Sequence, residues 1–136
     1  MTKKILLIED EDLIRDLYKR QLEQGGITTD AVANGTEGLK ALQENNYDLV
    51  LLDIMLPDKN GLEVLITMKQ DKLTKEIPVV MLTNLGQDSV IKEAFKLGAI
   101  SYLLKASFTP DQMVQEVQKI LNQQESSSTP PQSQQS

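Results

Sequence analysis

Three carboxylates, one hydroxyl and one ammonium stand at the ends of the chain's apolar runs. ILLI (5–8) leads into Glu9 and Asp10, LVLL (49–52) into Asp53, VVML (79–82) into Thr83, and AISYLL (99–104) into Lys105. Each has an ordinary explanation when taken singly: an acidic run is a solvated face or the first turn of a helix, and a lone Thr or Lys is a turn or solubilising residue. If the runs are parallel strands, however, all five groups emerge on one edge of a sheet, and that convergence is far less ordinary. Carboxylates held together repel, and a hard divalent cation with oxygen ligands relieves the repulsion. A shallow, partly hydrated cluster suits Mg2+ better than a full protein cage suits Ca2+. A carboxylate so neutralised can attack a phosphoryl group, with Lys105 offsetting charge on the transferring oxygens and the Thr83 hydroxyl bonding the product.

Such a site needs elements that bring the run ends together. Near-continuous apolarity in the four runs predicts strands covered on both faces, and the alternating ITTDAVA (27–33) predicts a fifth. Segments with helical spacing lie between them. Leu13, Ile14, Leu17, Tyr18 and Leu22 form one expected apolar face, stopped by Gly25 and Gly26. Leu39 with Leu42, then Leu62, Leu65 and Ile66, then Val90, Ile91, Ala94 and Phe95 repeat the pattern, and Gly98 stops the last of these. A fifth helix is signalled at TPDQ: Thr109 caps, Pro110 takes the first helical position, Gln112 completes a capping box, and Met113, Val114, Val117, Ile120 and Leu121 form the buried face. Five strand–helix units in one domain imply an α/β fold, a doubly wound five-stranded parallel sheet with helices on both sides. Ligands of such sheets sit outside the carboxyl ends of the strands, where Asp53 is placed. The domain is expected over 1–124. Residues 125–136, ending in SSSTPPQSQQS, are expected to be a disordered Ser/Gln/Pro tail or linker stub.

Composition narrows the chemistry further. The 136-residue chain has no cysteine and no histidine, which removes thiolate metal sites, cysteine nucleophiles and imidazole bases. Its net charge of −6 argues against direct nucleic-acid binding. No apolar run approaches a membrane span and the start MTKK is no signal peptide, so a soluble cytoplasmic protein without membrane contact is expected.

At these residues the sequence resembles the receiver domain of two-component response regulators, and in length it is similar to stand-alone chemotaxis-type receivers. The resemblance covers about residues 3–122 and rests on the acidic pair, LLDIMLPDKNG, the strand-four Thr, and Tyr102 with Lys105, all in the family's order. It implies a flavodoxin-like strand order of 2-1-3-4-5. It also implies that Asp53 is the phosphoacceptor, that Glu9, Asp10 and Asp53 hold Mg2+ with the backbone carbonyl of Met55, that Lys105 contacts the phosphoryl group, and that Thr83 and Tyr102 form a switch. The implied phosphoryl donor is a sensor histidine kinase or histidine phosphotransfer protein, and the implied target docks on the face of helix 4, strand 5 and helix 5. Such a domain is not an enzyme in the ordinary sense, although it assists its own phosphorylation and dephosphorylation. In receivers the side chains two places after the Asp and the Thr flank the approach of hydrolytic water. Here they are Met55 and Leu85, neither able to orient a water well, so slow self-dephosphorylation is expected.

Two positions depart from the family's pattern. Ala106 follows Lys105 where Pro is usual, so a trans bond with a shifted loop is expected there in preference to a cis bond, which costs about 3 kcal/mol without proline. Asn84 follows Thr83 where a small residue is usual. Rival readings fit less well. A flavin or nucleotide module wants glycines after strand one, where this chain has EDED. An aspartyl phosphatase places its nucleophile in a D-x-D pattern there. A degenerate receiver that only docks proteins would not need Asp10, Asp53, Thr83 and Lys105 together.

Overall fold

A computed structural model describes residues 2–84 and 88–127, with side chains through residue 124. Five strands, β1 (Lys4–Ile8), β2 (Thr28–Val32), β3 (Leu49–Asp53), β4 (Val79–Thr83) and β5 (Ser101–Leu104), alternate with five helices, α1 (Asp12–Gln24), α2 (Gly35–Glu44), α3 (Gly61–Lys69), α4 (Asp88–Lys96) and α5 (Pro110–Ser127). All strand pairs are parallel and the spatial order is β2-β1-β3-β4-β5, as expected.

Side chains alternate across each strand, and the sheet therefore carries two cores. Ile5, Leu7, Leu49, Leu51, Val80, Leu82 and Leu103 pack against Tyr18 and Leu22 of α1 and Met113, Val117 and Leu121 of α5. Leu6, Ile8, Val50, Leu52, Val79 and Met81 face the other way, onto Leu42 of α2, Val64, Leu65 and Met68 of α3, and Ala94 of α4. Gly38 lets α2 approach β1 closely, since a Cβ there would run into Ile8.

Three expectations need correction. β1, β3 and β4 are covered on both faces, but β5 is an edge strand on which Tyr102 is exposed. An apolar run with one aromatic reads the same at an edge as at the centre, because partners on one side leave no trace in sequence. In α1, Leu13 and Leu17 do not share the core face with Ile14, Tyr18 and Leu22: Leu13 is 85% exposed. A step of one residue turns a helix by about 100°, so the strip 14-18-22 enters the core and the strip 13-17 leaves it. Phe95 and Ile66 are likewise part exposed on their helices. At the carboxyl terminus, α5 begins with the capping box: the Thr109 N–H donates to Gln112 Oε1 (2.9 Å) and the Gln112 N–H to Thr109 Oγ1 (3.2 Å). The helix runs to Ser127, past the domain end expected at 124. The rest of the expected tail, 128–136, lies outside the described residues.

Candidate functional site

β1 and β3 are adjacent, so Glu9, Asp10 and Asp53 follow from neighbouring strand ends. One carboxylate oxygen from each lies within 4.8 Å of the others. Glu9 is fully buried and Asp53 nearly so, while Asp10 is exposed.

The carboxylates are held by backbone as well as by side chains. Glu9 Oε2 accepts the Glu11 N–H at 3.0 Å. Asp53 Oδ1 accepts the Met55 N–H at 3.1 Å, which fixes the plane of that carboxylate. Lys105 reaches in from the end of β5 and places Nζ 2.9 Å from Asp53 Oδ2 and 2.6 Å from Glu9 Oε1. Its side chain is only 8% exposed. Burial works against the ammonium, but the contacts to Glu9 and Asp53 outweigh it and hold Lys105 above its usual range. Burial also pushes the Glu9 carboxyl up, against the opposing pull of Lys105 and the Glu11 amide.

Glu9 Oε1 is buried, and the Lys105 ammonium at 2.6 Å is its charge partner; no other donor reaches it among the described residues. An oxygen in that condition, beside two further carboxylates, suits a hard cation. The donor set Glu9, Asp10 and Asp53 could thus hold a hard divalent cation.

The Lys105–Ala106 bond is trans, and a short 3-10 turn follows at Lys105–Ser107. The trans bond leaves the ammonium in contact with both carboxylates. Thr83 ends β4 and is buried, and its hydroxyl donates to the Asn84 carbonyl (3.1 Å); Asn84 is itself exposed. Asp53 pairs with Leu82, so Thr83 stands one residue further along the neighbouring strand. Tyr102 is the exception to the strand-end grouping. It lies inside β5 opposite Met81, 39% exposed, its ring edge-to-face with Phe95 at 6.1 Å between centroids. Met55 is 62% exposed. Leu85 lies outside the described residues.

The loop after Asp53 is held by contacts that the sequence reading missed. The Gly61 N–H donates to the Ile54 carbonyl at 2.7 Å, and a Cβ at Gly61 would collide with the Asp53 carbonyl, so only glycine lets the chain turn back this closely. Asn60 caps α3 through a capping box with Glu63. Asp58 reaches across to α2, accepting the Gly35 N–H (2.9 Å), the Thr36 N–H (2.8 Å) and the Thr36 hydroxyl. The Thr36 hydroxyl foremost, with those amides, pulls the Asp58 carboxyl down to about 2. No spacing rule links positions 36 and 58. Arg15 was also missed, although Asp12 three residues before it gives a helix-pair signal.

Comparison with known proteins agrees with this geometry. The family model of the response regulator receiver domain matches residues 5–118. A transcriptional regulatory protein, SrrA of Staphylococcus aureus, is 36% identical over 126 residues, covering 93% of this chain and 51% of the relative. The chain therefore spans about half the length of the curated relatives it matches. Among solved structures, a CheY-like receiver domain protein from Methanospirillum hungatei superposes with a TM-score of 0.86 at 27% identity, covering 94% of this chain and all of the other. The phosphorylated cyanobacterial phytochrome response regulator RcpA gives 0.79 at 31% identity, covering 95% of this chain and 98% of that one. No described helix is long and apolar enough to cross a membrane.

Proposed function

This chain belongs to the response regulator receiver domain family of two-component systems, and from that premise we propose that Asp53 accepts a phosphoryl group in a Mg2+-dependent reaction. The observation that carries the proposal is the contact of one buried ammonium, Lys105, with two buried carboxylates, Glu9 and Asp53, at adjacent strand ends. A purely structural ion pair has no use for the surplus carboxylate, nor for Asp10 beside it. Glu9, Asp10 and Asp53, with the Met55 carbonyl, would hold the cation. Bound there, Mg2+ supplies positive charge against the phosphoryl oxygens.

The chain's own groups do the rest. The Met55 N–H orients the Asp53 carboxylate for attack on phosphorus, a P–O bond forms as the donor's bond to phosphorus breaks, and Lys105 exchanges its contact with Asp53 for one with a phosphoryl oxygen. The chain has no histidine, so a phosphohistidine donor is a partner, a sensor histidine kinase or a histidine phosphotransfer protein. The Thr83 hydroxyl turns from the Asn84 carbonyl to the phosphoryl group, and Tyr102 turns inward behind it. The surface of α4, β5 and α5 thereby changes for a downstream protein. We place this activity in the cytoplasm.

Intact mass after incubation with Mg2+ and acetyl phosphate tests the reading. One phosphoryl group should add to the wild type, and none to Asp53→Asn or to wild type in EDTA. Equal labelling in EDTA, or of Asp53→Asn, refutes it, and a wild type that takes up no phosphoryl group at all leaves a protein-docking domain that does not depend on phosphorylation.

A further inference from the structure

Arg15 lies in the first turns of α1, where an arginine ordinarily extends into solvent. Its side chain is instead only 19% exposed. One guanidinium nitrogen donates to the Glu9 carbonyl (2.9 Å) and the Asp10 carbonyl (3.3 Å), and the other to Asp12 Oδ1 (2.7 Å). An i,i+3 ion pair at the surface contributes little by itself and does not explain why the arginine bends back over the loop. The two carbonyls do. They belong to the two acids that converge on Asp53, so the backbone of both is gripped by Arg15 while their carboxylates meet at the site. The helix start offers no substitute, because Glu11 in the N-cap position makes no side-chain cap hydrogen bond. At the other end of the loop, the Glu9 N–H donates to the Val32 carbonyl (3.1 Å) and Glu9 Oε2 accepts the Glu11 N–H.

We infer that Arg15 is a positioning residue for the divalent cation, fixing the β1–α1 loop in the shape that lets Glu9 and Asp10 act together. The inference rests on the Mg2+-dependent reading above. The planar fork of arginine is required, since it meets three acceptors at fixed angles while remaining charged. A lysine at this place ends one bond short of the guanidinium nitrogen that meets both carbonyls, and it has no second nitrogen for Asp12. Groups that orient metal ligands are worth about 10- to 100-fold in metal affinity when removed, and this one acts on two ligands at once.

Mg2+ titrations followed by amide chemical shifts test the inference, with the wild type, Arg15→Met, Arg15→Lys and the core variant Leu22→Ala compared. Hydrogen exchange at the Glu11 amide is measured in metal-free protein as a second readout. We expect Mg2+ binding about tenfold weaker in Arg15→Met and Arg15→Lys, faster exchange at Glu11 in both, and unchanged affinity in Leu22→Ala despite its lower stability. Wild-type affinity in both Arg15 variants overturns the inference, as does an equal loss of affinity in Leu22→Ala, which makes the effect one of general stability. Absence of Mg2+ binding by the wild type itself refutes the cation reading and the inference with it, whereas an intact wild-type response with unaffected Arg15 variants refutes the inference alone.

Discussion

Replacing Lys105 with methionine tests how the site is balanced before any phosphoryl group arrives. The substitution keeps much of the aliphatic stem and deletes the charge that lies 2.6 Å from Glu9 and 2.9 Å from Asp53. Two carboxylates that are 0% and 4% exposed are left without their cation. Removing one partner of a buried ion pair costs about 3–5 kcal/mol. A ceiling comes from the protein's escape route, which is to protonate Glu9, whose carboxyl burial already pushes up. Holding neutral at pH 7 a carboxyl that titrates near 4.3 when unfolded costs about 1.36 kcal/mol for each of about 2.7 pH units, roughly 3.7 kcal/mol. The expected loss at pH 7 is therefore about 3–4 kcal/mol. Its pH dependence has a definite sign. A group whose folded pKa lies above its unfolded value favours the folded state below the unfolded pKa and loses that advantage as pH rises. The deficit of Lys105→Met against wild type should thus shrink by about 1.4 kcal/mol per pH unit as pH falls from 7 towards 5. Mg2+ should restore more stability to the variant than to the wild type, because no ammonium competes for the carboxylates. Urea denaturation followed by far-ultraviolet circular dichroism, at pH 5, 6 and 7 with and without Mg2+, measures all of this. A deficit under 1 kcal/mol that does not change with pH would refute the reasoning, for the carboxylates would then be hydrated enough to need no counter-charge.

Three further outcomes follow from the same geometry. Thr36→Val should raise the Asp58 carboxyl from about 2 towards its usual 3.8, read by NMR titration. Because that pKa is depressed in the folded state, Asp58 supports the α2 start above about pH 4 and ceases to as pH falls through about 2; an unmoved titration in Thr36→Val would show that the hydroxyl is not the cause. If Met55 and Leu85 shield the aspartyl phosphate, Met55→Asn with Leu85→Glu should lose phosphate several-fold faster than wild type in a timed mass assay, and an equal rate would end the shielding idea. Beryllofluoride should shift the amides of α4 and β5 as well as those around Asp53, and Phe95→Ala, which removes the ring that packs edge-to-face on the outward Tyr102, should enlarge the β5 change. Shifts confined to the neighbourhood of Asp53 would uncouple Tyr102 from the site.

The parts of this protein that could be read from sequence are those fixed by local periodicity and by parallel topology. Apolar runs gave the strands, and parallel strands carry every run end to one edge, so Glu9, Asp10, Asp53, Thr83 and Lys105 could be grouped without any knowledge of contacts. Tyr102 could not be placed in that way. It sits inside β5, and only the family resemblance attached it to the site. The outward turn of Leu13 was hidden for a different reason: Leu13-Leu17 and Ile14-Tyr18-Leu22 are both valid helical strips, and only packing on the sheet chooses between them.

The loops show the same limit at closer range. Ala106, standing where proline is the family's local signal, pointed to a trans bond with a shifted loop; the bond is trans, and across it Lys105 reaches both carboxylates. Two buried carboxylates exert a pull on the ammonium that no local loop preference encodes. Asp58 and Arg15 belong with this case. Both are charged side chains in segments that read as solvated, and both turn back to hold backbone groups, at the start of α2 and in the β1–α1 loop. Sequence patterns locate the carboxylates of the site, whereas the residues that hold its loops in shape are chosen by unsatisfied backbone groups, which become visible only once the chain is folded.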